Sequence, residues 1–330
     1  MRRLKFFAIL LVVLVLGLGG AAAYHVTRPL ELPSTPFSFS LTQGASVKTA
    51  ARQLQAAGLL GSDTEFVWLA RMQGKSGQIK AGNYELDAPI STWNLLNLLV
   101  KGRVSQGEIS IIEGWTFRDF RKAVSANAGL RHDTQSLSDG EILQRIGAPE
   151  KQPEGLFFPD KYYFAKGSSD LVIYRRAYET MQKHLQESWA GRDTDLPLEN
   201  PYQALTLASI VEKETGRASD RSMIAGVFTN RLRKGMRLQT DPAVIYGMGE
   251  KFDGNLRKRD LLRDTPYNTY TRAGLTPTPI ALPGLASLQA TLHPSKTDAL
   301  YFVARGDGTS EFSSTLAKHN RAVNRYQLHK

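Results

Sequence analysis

The run Ala204-Leu205-Thr206-Leu207-Ala208-Ser209-Ile210-Val211, followed at once by Glu212-Lys213-Glu214 and Thr215-Gly216, constrains this chain more than any other stretch. Its first two turns are apolar on almost every side, the pattern of a helix buried inside a domain. Gly216 reads as the left-handed residue that closes it. Two carboxylates at the end of a buried run pose a physical problem, because an ionised carboxylate out of water must be paired or keep its proton. A carboxyl that keeps its proton near neutral pH is a general acid. The bland alternative is a solvated helix end. At about 100° per residue, Glu214 lies about 20° from Leu207 and about 40° from Ile210. Glu212 lies roughly 200° from Glu214, near Leu205 and the small Ala208, so the two cannot share one cleft while the helix holds. Glu214 has the bulkier apolar neighbours and is predicted to be the desolvated carboxyl, with Glu212 next in line.

The chain has 330 residues, enough for two domains with their own cores. It has no cysteine, which excludes disulfides and thiolate metal sites, and its six histidines show no zinc-binding spacing. No metal and no cofactor is expected. The net charge of +11 implies an anionic neighbour, but no aromatic-rich basic block or nucleic-acid motif accompanies it. Met1-Arg2-Arg3-Leu4-Lys5 precedes an uncharged run over 6–24, about the 17–25 residues that span a bilayer as a helix. Positive charge before the span places the amino terminus in the cytoplasm and the rest outside. Ala21-Ala22-Ala23 would also suit a cleaved signal peptide, yet the run is longer than a signal core, so a retained transmembrane helix is expected. Export leaves lipid and cell-wall polymer as the anionic partners and makes nucleic acid an unsuitable one.

In chain order the strand and helix signals amount to an α+β fold. Residues 1–28 form the cytoplasmic flank and transmembrane helix, and 29–36 a proline-bearing linker. A strand is predicted at 37–41, helices after Ser46, Ser62, Ser91 and Thr116, and strands at 83–86 and 108–112. This first α+β module and its connector run to about 150. Residues 151–330 form a mixed α/β domain with an aromatic segment at 154–164, an amphipathic helix at 170–189, and a helix at 220–233 capped by Ser219. A long loop with Pro277, Pro279 and Pro283, a hairpin around Asp307-Gly308 and a terminal helix from Thr315 follow.

Loops rich in Tyr, Asn, Gln and Thr after one semi-buried glutamate suit a carbohydrate groove, with aromatic faces for sugar rings and amides for hydroxyls. A glutamic acid with a raised pKa protonates a glycosidic oxygen. A conventional hydrolase needs a second carboxylate, for which Glu154, Asp160, Asp220 and Asp241 are candidates only by elimination. A single acid/base suffices if the C6 hydroxyl of N-acetylmuramic acid attacks in place of water. A two-carboxylate muramidase and a non-catalytic glycan-binding scaffold are the competing readings. A pyridoxal phosphate site on Lys213 lacks a glycine-rich phosphate cradle.

Ala208-Ser209-Ile210-Val211-Glu212-Lys213-Glu214 and Gln239-Thr240-Asp241-Pro242 with Tyr246-Gly247 resemble the YceG-like (MltG) family of endolytic murein transglycosylases. Glu154-Gly155 with Phe158-Pro159-Asp160, Tyr267-Asn268-Thr269-Tyr270, Gly274-Leu275-Thr276-Pro277-Thr278-Pro279-Ile280 and His319-Asn320 extend the likeness over nearly the whole chain. The resemblance implies a lyase anchored in the cell inner membrane. It would cut the bond between N-acetylmuramic acid and N-acetylglucosamine inside periplasmic glycan strands, leaving 1,6-anhydro ends and terminating nascent strands. It also implies that the first module is LysM-like, that the catalytic residue is Glu214, and that 151–330 is the transglycosylase domain. Glu154, Ser209, Gln239, Thr240, Asp241, Tyr267, Asn268, Tyr270, His319 and Asn320 are the substrate-binding residues it suggests. Peptidoglycan strands are the implied partner, with peptidoglycan synthases as candidate protein partners. One departure is Thr276-Pro277-Thr278-Pro279, where the family more often has a proline-proline-glycine-proline run.

Overall fold

Phe37, Phe39 and Leu41 alternate with serines, and in the computed structural model they form β1 (Phe37–Leu41) with all three apolar side chains buried. The structure describes residues 17, 19–20, 23–34, 37–42, 44–86, 88–102 and 106–328. Most of the span expected at 6–24 lies outside these residues, and among the described ones no helix is long and apolar enough to cross a membrane. The chain divides into two compact units, Met1–Gly107 with Tyr163–Gly167, and Glu108–Tyr162 with Ser168–Lys330.

In the first unit, β1 is followed by α1 (Val47–Ala56), α2 (Asp63–Met72), β2 (Gly82–Leu86) and α3 (Thr92–Lys101). β1 and β2 pair antiparallel with Phe39 opposite Tyr84, and their rings stack 5.3 Å apart. The hydroxyls of Ser46 and Ser91 accept hydrogen bonds from the Thr49 and Asn94 amides, satisfying free helix donors as expected of N-caps. Gly102 ends α3 in the left-handed conformation. Ser62 precedes α2 but its side chain makes no cap bond. Leu54, Phe66, Leu95 and Leu99 close the core against the sheet.

β3 (Gln106–Ser110) pairs with β5 (Lys161–Ala165), and the division between the units falls within both strands. The second unit continues through α4 (Phe117–Ala126), β4 (Leu130–Arg131), α5 (Asp139–Ile146), β6 (Ser168–Ser169) and α6 (Leu171–Ala190). Capping boxes at Thr116 and Ser138 open α4 and α5. The expected aromatic segment supplies Phe157, which packs with Phe117 and Phe120 of α4 and Tyr174 of α6.

α7 (Pro201–Glu214) is the buried helix read from the sequence, and every side chain from Ala204 to Val211 is out of water. It starts three residues before the apolar run, because Asn200 caps it and Pro201 occupies the first turn, where a missing N–H costs nothing. Gly216 is not its left-handed stop. The helix ends on Glu214, and Thr215 turns extended at φ −147° while its hydroxyl accepts the Arg217 amide. That local hydrogen bond replaces the glycine turn. α8 (Ala218–Arg233), α9 (Asp241–Met248), α10 (Lys258–Leu262) and α11 (Leu285–Leu292) follow, then the hairpin β7 (Tyr301–Ala304) and β8 (Ser310–Ser313), and α12 (Leu316–Val323). Ser219 does not cap α8. It lies in the first turn, and its hydroxyl donates to Asp220. α7 packs among α6, α8, α9 and α11, with Leu207, Ile210, Ile224, Phe228 and Leu292 at the centre. The molecule is therefore a mixed α+β protein with small two-stranded sheets.

Candidate active site

The last residue of α7 carries the carboxyl that the apolar wheel singles out. Glu214 lines a cleft of about 640 Å³ with Arg231 from α8, Gln239 and Leu238 before α9, Asp241 at its start, and Tyr270. Tyr301 and Phe302 of β7 and Leu316, His319 and Asn320 of α12 complete the wall. Burial pushes the Glu214 carboxyl up to about 7, with the nearby Asp241 charge adding to it. The Thr240 hydroxyl and the Arg231 guanidinium work the other way by favouring the ionised form. The carboxyl also sits at the carbonyl end of its helix, where the backbone dipole disfavours a negative charge. Each of these influences but two keeps a proton on Glu214 near neutrality.

Glu212 points elsewhere, as the wheel requires. Its Oε2 accepts the Gly284 amide at 3.0 Å, and Lys213 between them donates to the Gly114 carbonyl. The two glutamates of one tripeptide are thus separated into a loop tether and a cleft acid.

Of the other residues suggested by the sequence, Gln239, Asp241, Tyr270, His319 and Asn320 share the cleft with Glu214. Thr240 lies behind it, buried, its amide donating to the Thr269 hydroxyl. Gln239 holds φ at 53°, in the left-handed region that is uncommon for a side-chain-bearing residue. Its amide is fixed by the Thr269 carbonyl and its side-chain oxygen accepts from Arg231 at 3.3 Å. His319 stacks on Tyr301 at 5.2 Å, and burial followed by the Arg231 charge holds its pKa below the ordinary histidine value.

The structure does not bring Glu154, Ser209, Tyr267 or Asn268 into this cleft. Glu154 is buried and accepts from the Phe117 amide at 3.0 Å and the Tyr246 hydroxyl at 3.1 Å. Burial pushes its carboxyl up to about 7, with those donors opposing. The next residue, Gly155, has φ +82° and lies so close to Pro279 that a side chain would collide with it. Ser209 accepts the Ile280 amide at 2.9 Å, and the Tyr267 hydroxyl contacts that of Thr278 at 2.9 Å. Asn268 donates to the carbonyls of Asp260, Leu261 and Arg263 while accepting from the Tyr270 amide. Glu154-Gly155, Ser209 and Tyr267 therefore surround and hold the proline-bearing loop at 274–284, and Asn268 shapes the turn that delivers Tyr270. Gly274, Leu275, Thr276 and Pro277 of that loop line a separate cavity with Tyr202 and Gln203.

Arg231, like Tyr301, is a cleft residue that the sequence did not single out. It is buried on α8 and donates to the carbonyls of Leu300, Arg237 and Leu238 as well as to Gln239. Its guanidinium also lies over the Tyr301 ring, 5.2 Å from the centroid. One side chain thus joins β7 to the loop before α9 and fixes two walls of the cleft.

Fold and cleft together define an α+β protein that presents a protonatable glutamate at a helix terminus among aromatic, amide and imidazole groups. The chain belongs to the YceG-like family, whose family model matches residues 39–325. It is 33% identical to a protein of Bacillus subtilis (strain 168) named endolytic murein transglycosylase, covering 94% of this chain and 91% of that one. A Streptococcus pneumoniae (strain D39) protein of the same name is 28% identical, and there the match spans 94% of this chain but 62% of the longer relative. The crystal structure of a YceG-like protein from Listeria monocytogenes superposes with a TM-score of 0.55 at 29% identity, covering 86% of this chain and 97% of that one.

Proposed function

We propose that this chain is an endolytic murein transglycosylase in which Glu214 is the single acid and base. The observation that carries the reading is a glutamic acid held at about 7 inside a cleft walled by Tyr270, Tyr301, Gln239 and Asn320. The names of the Bacillus and Streptococcus relatives support it. Protonated Glu214 gives its proton to the oxygen joining N-acetylmuramic acid to N-acetylglucosamine as the bond from that oxygen to C1 of the muramic residue breaks. The resulting carboxylate then takes the proton of the same residue's C6 hydroxyl while that oxygen bonds to C1. The ring closes as a 1,6-anhydro end, no water is consumed, and Glu214 regains its proton.

Asp241 acts on the proton rather than on the sugar: its charge raises the Glu214 pKa. Gln239, Tyr270, His319 and Asn320 contact the glycan, and buried Thr240 backs the cleft. Glu154, Ser209, Tyr267 and Asn268 contribute by fixing the loops around the groove.

Residues 151–330 are the transglycosylase domain in this reading, and 37–150 a LysM-like module with its connector. The order β1, α1, α2, β2 with the two strands antiparallel supports the LysM likeness. The basic flank and the uncharged run at 6–24 support a single-pass inner-membrane anchor with a cytoplasmic amino terminus. So placed, the enzyme meets nascent strands beside peptidoglycan synthases and terminates them.

Mass spectrometry of the soluble products from purified sacculi tests the reaction. Each new end is expected one water lighter than a hydrolytic end. Reducing muramic ends in their place would identify a two-carboxylate muramidase.

A further inference from the structure

The segment 251–263 carries Lys251, Arg257, Lys258, Arg259 and Arg263 against Asp253 and Asp260 alone, and neither the acid chemistry nor the fold accounts for that excess. In the second unit all of these but Lys258 line a cavity of about 510 Å³, with Val244, Gly247 and Met248 of α9 as its apolar side. Its charges are not all spoken for. Arg257 is clamped on Asp253 through two hydrogen bonds of 3.1 and 2.7 Å, and its amide donates to Asp260. Arg259 approaches Asp260 only at 3.9 Å. Lys251 and Arg263 line the cavity and form no ion pair among the described residues. Two cations lining one cavity without carboxylate partners can receive an anion, and an arginine together with a lysine suits a carboxylate, which takes a forked donor and a point charge.

The position of the cavity narrows the ligand. α9 begins at Asp241 in the wall of the Glu214 cleft and reaches the cavity at Val244, Gly247 and Met248. At about 1.5 Å per residue the helix spans about 10 Å, comparable with one disaccharide repeat of a glycan strand. The turn from Thr265 to Tyr270 makes the same connection a second time. A strand seated on Glu214 therefore brings its next muramic residue toward this cavity, and in murein that residue bears a short peptide with free carboxylates and small apolar side chains.

Resting on the transglycosylase reading above, we propose that the cavity lined by Lys251 and Arg263 binds the acidic peptide stem of a neighbouring muramic residue, so that the enzyme selects stem-bearing strands over bare glycan. The apolar side at Val244 and Met248 receives the alanine methyl groups, and the two cations receive a carboxylate.

The test compares the full chain with Lys251→Gln/Arg263→Gln on two forms of one glycan, native strands carrying their stems and strands stripped of them by an amidase. The unaltered protein is expected to favour stem-bearing strands in kcat/KM, and the double variant to lower that preference about tenfold, through KM rather than kcat. Binding of free stem tetrapeptide to the full chain, measured by calorimetry, is expected to weaken about tenfold in the single Arg263→Gln variant, which gives a second readout if the double variant folds poorly. An unchanged preference, or an equal loss on both forms of glycan, overturns the proposal. Phosphatidylglycerol vesicles that lose binding in the variants while the tetrapeptide keeps its own would reassign the cavity to lipid head groups and overturn it too. Failure of the unaltered protein to cut either form would instead remove the transglycosylase reading, and this proposal with it.

Discussion

The Tyr270 hydroxyl donates to Oδ1 of Asp241 at 2.5 Å, within the cleft that holds Glu214. Such a bond to a carboxylate is short and charge-assisted, and it fixes where the acceptor sits. Tyr270 thereby holds Asp241 in place, and the Asp241 charge adds to burial in keeping Glu214 protonated. An aspartate that never touches the reacting bond, held by a tyrosine, thus adds to what burial does to the acid.

Asp241→Asn removes the charge that helps to raise the Glu214 pKa, so that pKa falls. The protonated acid is then lost at a lower pH, and the alkaline limb of the kcat/KM profile is expected to move toward acid. A profile recorded across pH 5–9 checks this, and an unmoved or alkaline-shifted limb contradicts it.

Arg231→Ala leaves three backbone carbonyls and the Gln239 side chain without their donor in a buried place. Unsatisfied buried acceptors cost about 1–3 kcal/mol each, partly relieved by water, so a loss on the order of 3 kcal/mol is expected in denaturant unfolding. Arg231→Lys is expected to recover little, because one ammonium cannot reproduce the guanidinium fork.

Much of this architecture is legible in the sequence because its causes are local. Ser46, Ser91 and Thr116 announce their helices through a hydroxyl next to free amides, and Phe37, Phe39 and Leu41 announce a strand by alternation. The separation of Glu212 from Glu214 follows from helical geometry alone. What the sequence hides is remote pairing. Ser209 and Tyr267 belong to the same motifs as the cleft residues, yet Ser209 meets Ile280 across 71 positions, and nothing in the local pattern distinguishes a loop holder from a groove wall. Arg231 escapes for the same reason: its acceptors lie on the hairpin and on the loop before α9. Thr215 misleads in the opposite sense, since its own hydroxyl turns the chain that Gly216 was expected to turn.

Glu154 gives a stability signature separate from catalysis. Its folded pKa of about 7 lies above the ordinary 4.5, so between those values the folded state binds more protons than the unfolded one. Stability must then fall as pH rises through this window. Glu154→Gln, which cannot ionise, is expected to flatten the decline in thermal midpoint between pH 5 and 8. An identical slope in the variant would show that Glu154 does not cause it.

Glu214→Gln tests the account most directly, because it removes the proton donor while nearly preserving shape. With purified sacculi as substrate, the variant is expected to fold as the unaltered protein does, to bind glycan, and to release 1,6-anhydro products about 10²–10⁴-fold more slowly, the range of a general acid. Anhydro products formed at an undiminished rate by the folded variant would contradict the claim that this carboxyl delivers the proton.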